Sequence, residues 1–233
     1  MEYIYDIGII GAMDPEVNEL ISRLEGGASE SVGSVKFHFG TLLGKRVVIA
    51  KCGIGKVFAA IATEAMILKY APRLIVNTGV GGAAAMGLSP LDVVIADKLC
   101  QHDMDTSAIG DPKGLVSGIN VIYFNADARA VEILSTAANA MGASNRVGTI
   151  ATGDKFVSSL EEKTRINSEF GACACEMEGC AVAQVAFVNG VNFAVVRAIS
   201  DSADGSASME YSQFLPEAAR ISTALTLALV KRY

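Results

Sequence analysis

Short runs of β-branched and other apolar residues recur along this chain, and segments with helical periodicity separate them. The apolar runs occupy residues 5–11, 46–51, 74–78, 92–96, 147–151 and 193–199. Continuous runs of this kind are typical of strands that are buried on both faces of a sheet. Apolar spacing near 3.6 residues predicts helices over 56–70, 126–141, 178–188 and 212–230. The alternation of the two patterns predicts a three-layer α/β/α sandwich.

The start of one more helix is predicted from local chemistry. Asp14 is a suitable N-cap, and Pro15 suits the first turn of a helix. In a sheet of this type, ligands bind beyond the carboxyl ends of the strands. Functional residues are therefore expected where the apolar runs end.

Composition excludes several classes of protein. The chain has 233 residues, of which 51% are hydrophobic and 19% charged, and its formal net charge is −6. This length predicts one domain over residues 1–233. The acidic balance argues against nucleic acid and anionic membrane surfaces as partners, because both need a basic patch. The excess of apolar residues favours a buried sheet together with a subunit interface.

The expected compartment is the cytoplasm. The richest apolar stretch, residues 57–71, contains polar and charged residues that interrupt a membrane span, and the acidic N-terminus does not resemble a signal peptide. The five cysteines are odd in number, which argues against a disulfide framework. The segments Cys173-x-Cys175 and His102-Asp103-Met104-Asp105 do not have the spacing of a specific metal site. No metal is therefore predicted.

Acidic residues follow two of the predicted strands and the segment that begins at Cys173. They are Glu16, Glu178 and Asp201. Each alone could be a helix-start acid that interacts with the positive end of the helix dipole. Three acids at one edge of a sheet would repel each other unless a ligand uses them. Arg197 lies within an apolar run and is costly there unless paired, so a structural ion pair with one of these acids is an alternative to a binding role.

Two glycine-containing segments do not match known phosphate-binding motifs. Gly8-Ile9-Ile10-Gly11 is not the dinucleotide fingerprint, and Gly53-Ile54-Gly55-Lys56 lacks the upstream glycine and downstream hydroxyl of a P-loop. The run Gly79-Val80-Gly81-Gly82 permits close approach of the backbone to a ligand, or a tight turn.

Five motifs in this order resemble a known family. They are Gly8-Ile9-Ile10-Gly11-Ala12-Met13-x-x-Glu16, Gly53-Ile54-Gly55-Lys56-Val57, Gly153-Asp154-x-Phe156, Glu176-Met177-Glu178 and Arg197-Ala198-Ile199-Ser200-Asp201-x-Ala203-Asp204. The chain resembles the 5′-methylthioadenosine/S-adenosylhomocysteine nucleosidases, within the purine and uridine phosphorylase superfamily, over nearly its whole length. The resemblance implies a central twisted mixed sheet and hydrolysis of an N-glycosidic bond without a metal or cofactor.

The resemblance also implies roles for the acidic residues. Glu16 matches the general base that activates water, and Glu178 matches the carboxylate that binds the ribose hydroxyls. Asp201 matches the acid beside adenine N7, with Ser200 orienting it. This chemistry suits an oxocarbenium-like transition state and a poor leaving group.

Other matching positions are expected to bind the rest of the nucleoside. Phe156 matches the aromatic residue stacked on the base, Val157 the residue whose backbone reads the adenine edge, and Met177 a residue packed against the ribose. The positions that match the 5′-alkylthio pocket are Met13, Ile54 and Tyr211. Those expected to contact substrate near the glycine run and the arginine are Val80, Gly81 and Arg197.

A homodimer is implied as well, in which a loop near residues 102–110 of one subunit completes the site of the other. Thr106 and Ile109 fall where the family places this contact. Val80 departs from the family pattern, in which many members have serine, and Asp14-Pro15 replaces the more usual acidic pair. Three alternatives stay open at this point: a phosphorolytic purine nucleoside phosphorylase, an aminodeoxyfutalosine nucleosidase, and a non-catalytic nucleoside-binding protein. Glu16 and the absence of a hydroxyl at Val80 favour water over phosphate.

Overall fold

The chain folds around one mixed sheet, seen in a computed structural model that describes residues 3–202 and 207–233. Within these ranges the strands are β1 Tyr5–Gly11, β2 Glu25–Val32, β3 Val35–Leu42, β4 Lys45–Lys51, β5 Pro72–Ala83, β6 Val93–Gln101, β7 Phe124–Asn125, β8 Asn145–Thr152, β9 Ala172–Glu176 and β10 Asn192–Asp201. The helices are α1 Asp14–Ser22, α2 Lys56–Tyr70, α3 Ala128–Ala140, α4 Leu160–Phe170, α5 Gly179–Val188 and α6 Ala207–Arg232. None of the described helices is both long enough and apolar enough to span a membrane.

Part of the sheet closes on itself. The strand order is β10-β6-β8-β9-β5-β1-β4-β3-β2, and β10 also pairs with β5, so five strands form a ring. β1, β5 and β10 run parallel to one another, which brings their carboxyl ends to one edge. β9 runs antiparallel to β5 and pairs with its last two residues, Gly82 and Ala83. The end of β9 therefore reaches the same edge from the opposite direction.

Helices cover both faces of the sheet, as the three-layer prediction requires. Alternate residues of β1 point to opposite sides: Ile10 packs with α2 and α5, whereas Ile7 and Ile9 pack with α1, α3 and α6. This alternation buries both faces of the central strands. The predicted fold class is confirmed.

Several local predictions need correction. Asp14 is the first residue of α1 and not its N-cap, which is Met13. Asp14 instead pairs with Lys51 at 2.9 Å. The glycine run 79–82 is no turn, because it continues β5 through pairing with β10 and β9. The helix α4 was not predicted, and α6 begins before the predicted residue 212.

Candidate active site

A cavity of about 400 Å³ opens where β1, β5, β9 and β10 end. Most of the predicted site residues line it: Met13, Glu16, Ile54, Val80, Gly81, Phe156, Val157, Met177, Glu178, Ser200, Asp201 and Tyr211. Residues that were not predicted also contribute to its wall: Ala12, Gly82, Lys155, Cys175 and Glu176. The three predicted acids thus share one cavity.

Glu16 lies at the N-terminus of α1 and is held by backbone amides. Its Oε2 accepts hydrogen bonds from the N–H groups of Ala12 and Met13, at 2.7 and 2.9 Å, and its Oε1 accepts one from Val80 at 3.1 Å. Burial raises the pKa of Glu16 above its ordinary value, while the charge of Arg197 and these amides oppose the rise. The result is a fixed carboxylate with an increased proton affinity. The contact at Val80 uses the backbone, so the missing side-chain hydroxyl does not affect it.

Glu178 stands directly before α5. Its Oε1 accepts a hydrogen bond from the N–H of Gly55 at 2.7 Å. Burial, followed by the neighbouring charge of Glu176, raises the pKa of Glu178 to about 7. Glu178 is therefore a carboxylate whose ionised form is costly at this buried position.

Glu176 and Arg197 form a buried pair that supports this corner of the site. Arg197 donates to the Glu176 carboxylate and to Asn77. The other contacts of Glu176 Oε2 are the N–H groups of Glu178 and Gly179, at 3.0 and 2.7 Å. The pair therefore fixes the backbone from which Glu178 extends.

Asp201 ends β10 and has donors on both carboxylate oxygens. Ser200 Oγ donates to Oδ1 at 2.8 Å, as the predicted orienting role of Ser200 requires. Lys163 Nζ donates to Oδ2 at 2.6 Å from within α4. Both members of this ion pair are buried. Lys163 was not predicted, although it occupies the same helical face as Ile166 and Phe170, which is the signal that could have identified it.

Aromatic and sulfur-containing side chains form the apolar part of the cavity. The rings of Phe156 and Tyr211 meet edge to face with centroids 5.4 Å apart. The hydroxyl of Tyr211 lies 3.3 Å from Met13 Sδ. Ile54 lines the mouth and remains half exposed. Such a wall offers a stacking surface together with an apolar pocket.

Three predicted site residues do not line the cavity. Arg197 lies beneath it, because its guanidinium is used by Glu176 and Asn77. Its ion pair is therefore with Glu176 and not with any of the three predicted acids. Thr106 hydrogen-bonds to Asp111 at 2.8 Å, and Ile109 is 82% exposed on a short 3₁₀ turn. Ala203 and Asp204, part of the last motif, lie outside the described residues.

Comparison with known proteins agrees with the geometry. The family model for the phosphorylase superfamily matches residues 6–231. A 5′-methylthioadenosine/S-adenosylhomocysteine nucleosidase of Haemophilus influenzae strain PittEE is 40% identical over 227 residues, which cover 97% of this chain and 99% of the relative. The chain is therefore a member of the phosphorylase superfamily. Within it, the chain belongs to the 5′-methylthioadenosine/S-adenosylhomocysteine nucleosidase family.

Solved structures resemble the chain over its whole length. The nucleosidase of Neisseria meningitidis in complex with methylthio-immucillin-A has a TM-score of 0.94 and 36% identity, with 98% of this chain and 100% of that chain covered. A futalosine hydrolase of Helicobacter pylori has a TM-score of 0.92 and 34% identity, with 99% of each chain covered.

Proposed function

We propose that this chain hydrolyses 5′-methylthioadenosine and S-adenosylhomocysteine to adenine and the 5-thio-substituted ribose. It is an N-glycosyl hydrolase. The observation that carries this function is the convergence of Glu16, Glu178 and Asp201 on one cavity with a separate apolar wall. The full-length similarity to nucleosidases supports the substrate class.

In the proposed mechanism, Glu16 accepts a proton from water as the water oxygen attacks the ribose C1′. The C1′–N9 bond breaks with its electron pair moving to the purine, and Asp201 gives a proton to N7. Glu178 binds the ribose hydroxyls and places negative charge beside the oxocarbenium-like carbon. Burial raises the pKa of Glu16, which makes it a stronger base towards water than an ordinary glutamate.

Water is favoured over phosphate by charge. Glu16 occupies the expected position of the nucleophile, and a buried carboxylate there would repel a phosphate dianion. The buried guanidinium beneath the cavity, that of Arg197, is already bound to Glu176 and therefore does not serve as a phosphate ligand. Both facts weaken the phosphorolytic alternative.

The apolar wall is proposed to bind the two ends of the substrate. Phe156 would stack on adenine, and Val157 would read its edge through the backbone. Met13, Ile54 and Tyr211 would enclose the 5′-alkylthio group, and Met177 would pack on the ribose. These contacts are remote from C1′ and supply binding energy for orientation.

We also propose a homodimer in which Thr106 and Ile109 of one subunit complete the 5′ end of the other site. Support comes from exposed apolar side chains on neighbouring elements: Val57, Phe58, Ile61, Leu68, Phe187 and Val188. An apolar surface of this extent is typical of a contact between proteins.

A cytoplasmic location and a place in methionine salvage complete the proposal. All five cysteines are buried and free, which suits a reducing compartment. Both substrates retain a thioether on the sugar, so their cleavage opens a route for recovering sulfur.

The function is tested by measuring adenine release in phosphate-free buffer. The assay compares 5′-methylthioadenosine, S-adenosylhomocysteine, 5′-deoxyadenosine and aminodeoxyfutalosine, each with and without added phosphate. We expect adenine and a free reducing sugar without phosphate. Asp201→Asn and Glu16→Gln should each lower kcat by about 100-fold or more.

Three results would contradict parts of the proposal. Strict dependence on phosphate with formation of a sugar 1-phosphate would make the chain a phosphorylase. Near-normal kcat in Asp201→Asn would remove the acid role of Asp201. A strong preference for aminodeoxyfutalosine would move the substrate assignment to that nucleoside while keeping the chemistry.

A further inference from the structure

A buried lysine contacts the proposed general acid from behind. Lys163 lies within α4 and has no exposed surface. Its ammonium donates to Asp201 Oδ2 at 2.6 Å and also to the carbonyl of Ser202. Lys163 does not line the cavity, so it meets the substrate only through Asp201. Burying a lysine is costly unless its charge is used.

The contact constrains where Asp201 can move. Ser200 holds the other oxygen, Oδ1, at 2.8 Å. Gly82 closes a further side, since a Cβ atom there would lie 2.8 Å from Oδ2. The carboxylate is thus fixed by a cation, a hydroxyl and the β5 backbone.

The helix that carries Lys163 also adjoins the base-binding side of the cavity. α4 begins three residues after Val157, and its N-cap Ser159 accepts a hydrogen bond from the N–H of Glu162 at 3.2 Å. The ion pair therefore connects the segment containing Phe156 and Val157 to the strand end containing Asp201. A displacement of either wall changes the distance between the acid and the purine.

We infer that Lys163 is a positioning residue that acts on departure of the purine through Asp201. This inference rests on the proposed acid role of Asp201. Asp201 takes a proton from solvent and passes it to purine N7 as the C1′–N9 bond breaks. The ammonium of Lys163, together with the hydroxyl of Ser200, holds the carboxyl group of Asp201 in one orientation during this transfer, so that the proton is delivered towards N7.

The experiment compares two leaving groups. One substrate is 5′-methylthioadenosine, whose purine needs a proton. The other is the 5-methylthioriboside of 4-nitrophenol, which leaves as a stable anion. For Lys163→Met we expect kcat on the adenine nucleoside to fall by about 100-fold, with KM changed less than about threefold. The nitrophenyl substrate should lose less than about fivefold.

Further variants separate this role from a structural one. Lys163→Arg keeps the charge and should recover at least tenfold of the loss. Lys113→Met removes an exposed lysine that pairs with Glu169 of α4, the helix that also carries Lys163. This variant should leave both rates unchanged. The double variant Lys163→Met with Asp201→Asn removes both buried charges, which protects the fold, and should be no slower than Asp201→Asn alone.

Equal losses on the two substrates, a change confined to KM, or additive losses in the double variant would each overturn the inference. If Lys163→Met does not fold, two measurements still decide the inference. Lys163→Arg is measured on both substrates, and the kcat of the double variant is compared with that of Asp201→Asn. A failed proposed function is distinguishable, because the unaltered chain would then release no adenine from 5′-methylthioadenosine in phosphate-free buffer.

Discussion

The ionised form of Glu178 is unfavourable in its buried position, and ligand binding would offset this cost. It is buried beside Glu176, and its pKa is raised to about 7. The ribose hydroxyls would give its carboxylate the hydrogen bonds that bulk water no longer supplies. Under the proposed function, the folded chain is therefore less stable without the sugar at neutral and alkaline pH.

The corresponding prediction concerns stability against pH. Because the folded-state pKa lies above the ordinary 4.5, this group's favourable contribution is complete at low pH and is lost as pH rises through about 7. Glu178→Gln removes the charge and keeps an acceptor for Gly55. We expect it to raise the free energy of unfolding at pH 8 by on the order of 3 kcal/mol, and by almost nothing at pH 4.5.

Thermal unfolding of the ligand-free chain across this pH range checks the prediction. Glu25→Gln, at an exposed strand position, is the matched control and should follow the unaltered chain. A Glu178→Gln variant that is less stable at pH 8 would show that the carboxylate is not a destabilising charge there.

The sequence predicts the three acids that line the cavity, but it does not predict the residues that hold these acids in place. Glu16 and Asp201 follow parallel strands, so the strand-end rule brings them together. Glu178 follows β9, which runs antiparallel to β5, and the pairing of β9 with Gly82, Ala83 and β8 brings it to the same edge. Long-range pairing of this kind leaves no local pattern in the sequence.

At the scale of elements, β5 explains the glycine run. A Cβ at Gly79 would lie 2.3 Å from Glu16 Oε1, and one at Gly82 would lie 2.8 Å from Asp201 Oδ2. The strand thus passes directly against two of the carboxylates, and side chains there would displace them. The glycine-rich sequence permits either a tight turn or a close approach of the backbone to other groups. The structure has the close approach.

Gly82→Ala tests this packing. Lys163 and Ser200 hold Asp201 in place, so the added methyl must move either the carboxylate or the strand. We expect kcat to fall by at least about tenfold with the fold retained, since small displacements of reacting groups are costly. Gly27→Ala is the control, because a Cβ there meets its nearest neighbour at 3.4 Å on an exposed strand. Unchanged kcat in Gly82→Ala, measured beside circular dichroism, would contradict the account.

The helix α4 shows why one element was missed. Its sequence is rich in Glu, Lys and Arg, and such composition hides an apolar stripe. One position of that stripe is Lys163, whose burial is explained only by Asp201 in a distant strand. Tertiary contacts therefore explain the pattern of buried residues in α4, and the local apolar periodicity is too weak to predict this helix.

At the scale of the whole molecule, the two outer faces differ in the apolar side chains that they expose. The face formed by α2 and α5 exposes Leu68 at 72% and Phe187 at 48%. The apolar groove at this face is lined by Ile61, Leu68 and Val185, among others. Ile109 projects from a separate loop at 82% exposure. Such a distribution suits a second copy that covers α2 while its loop reaches the neighbouring cavity.

Ile61→Arg should therefore break the proposed dimer, because burying an unpaired guanidinium in an apolar contact is unfavourable. We expect sedimentation to show a monomer at micromolar concentration and KM for 5′-methylthioadenosine to rise at least about tenfold, since the 5′ pocket loses the partner's contribution. Ile109→Arg should raise KM even where the dimer persists. Met141→Arg, which changes a half-exposed apolar residue next to α3 on the opposite layer, should leave both measurements unaltered. A fully active Ile61→Arg dimer would mean that this face of the molecule is not the subunit contact.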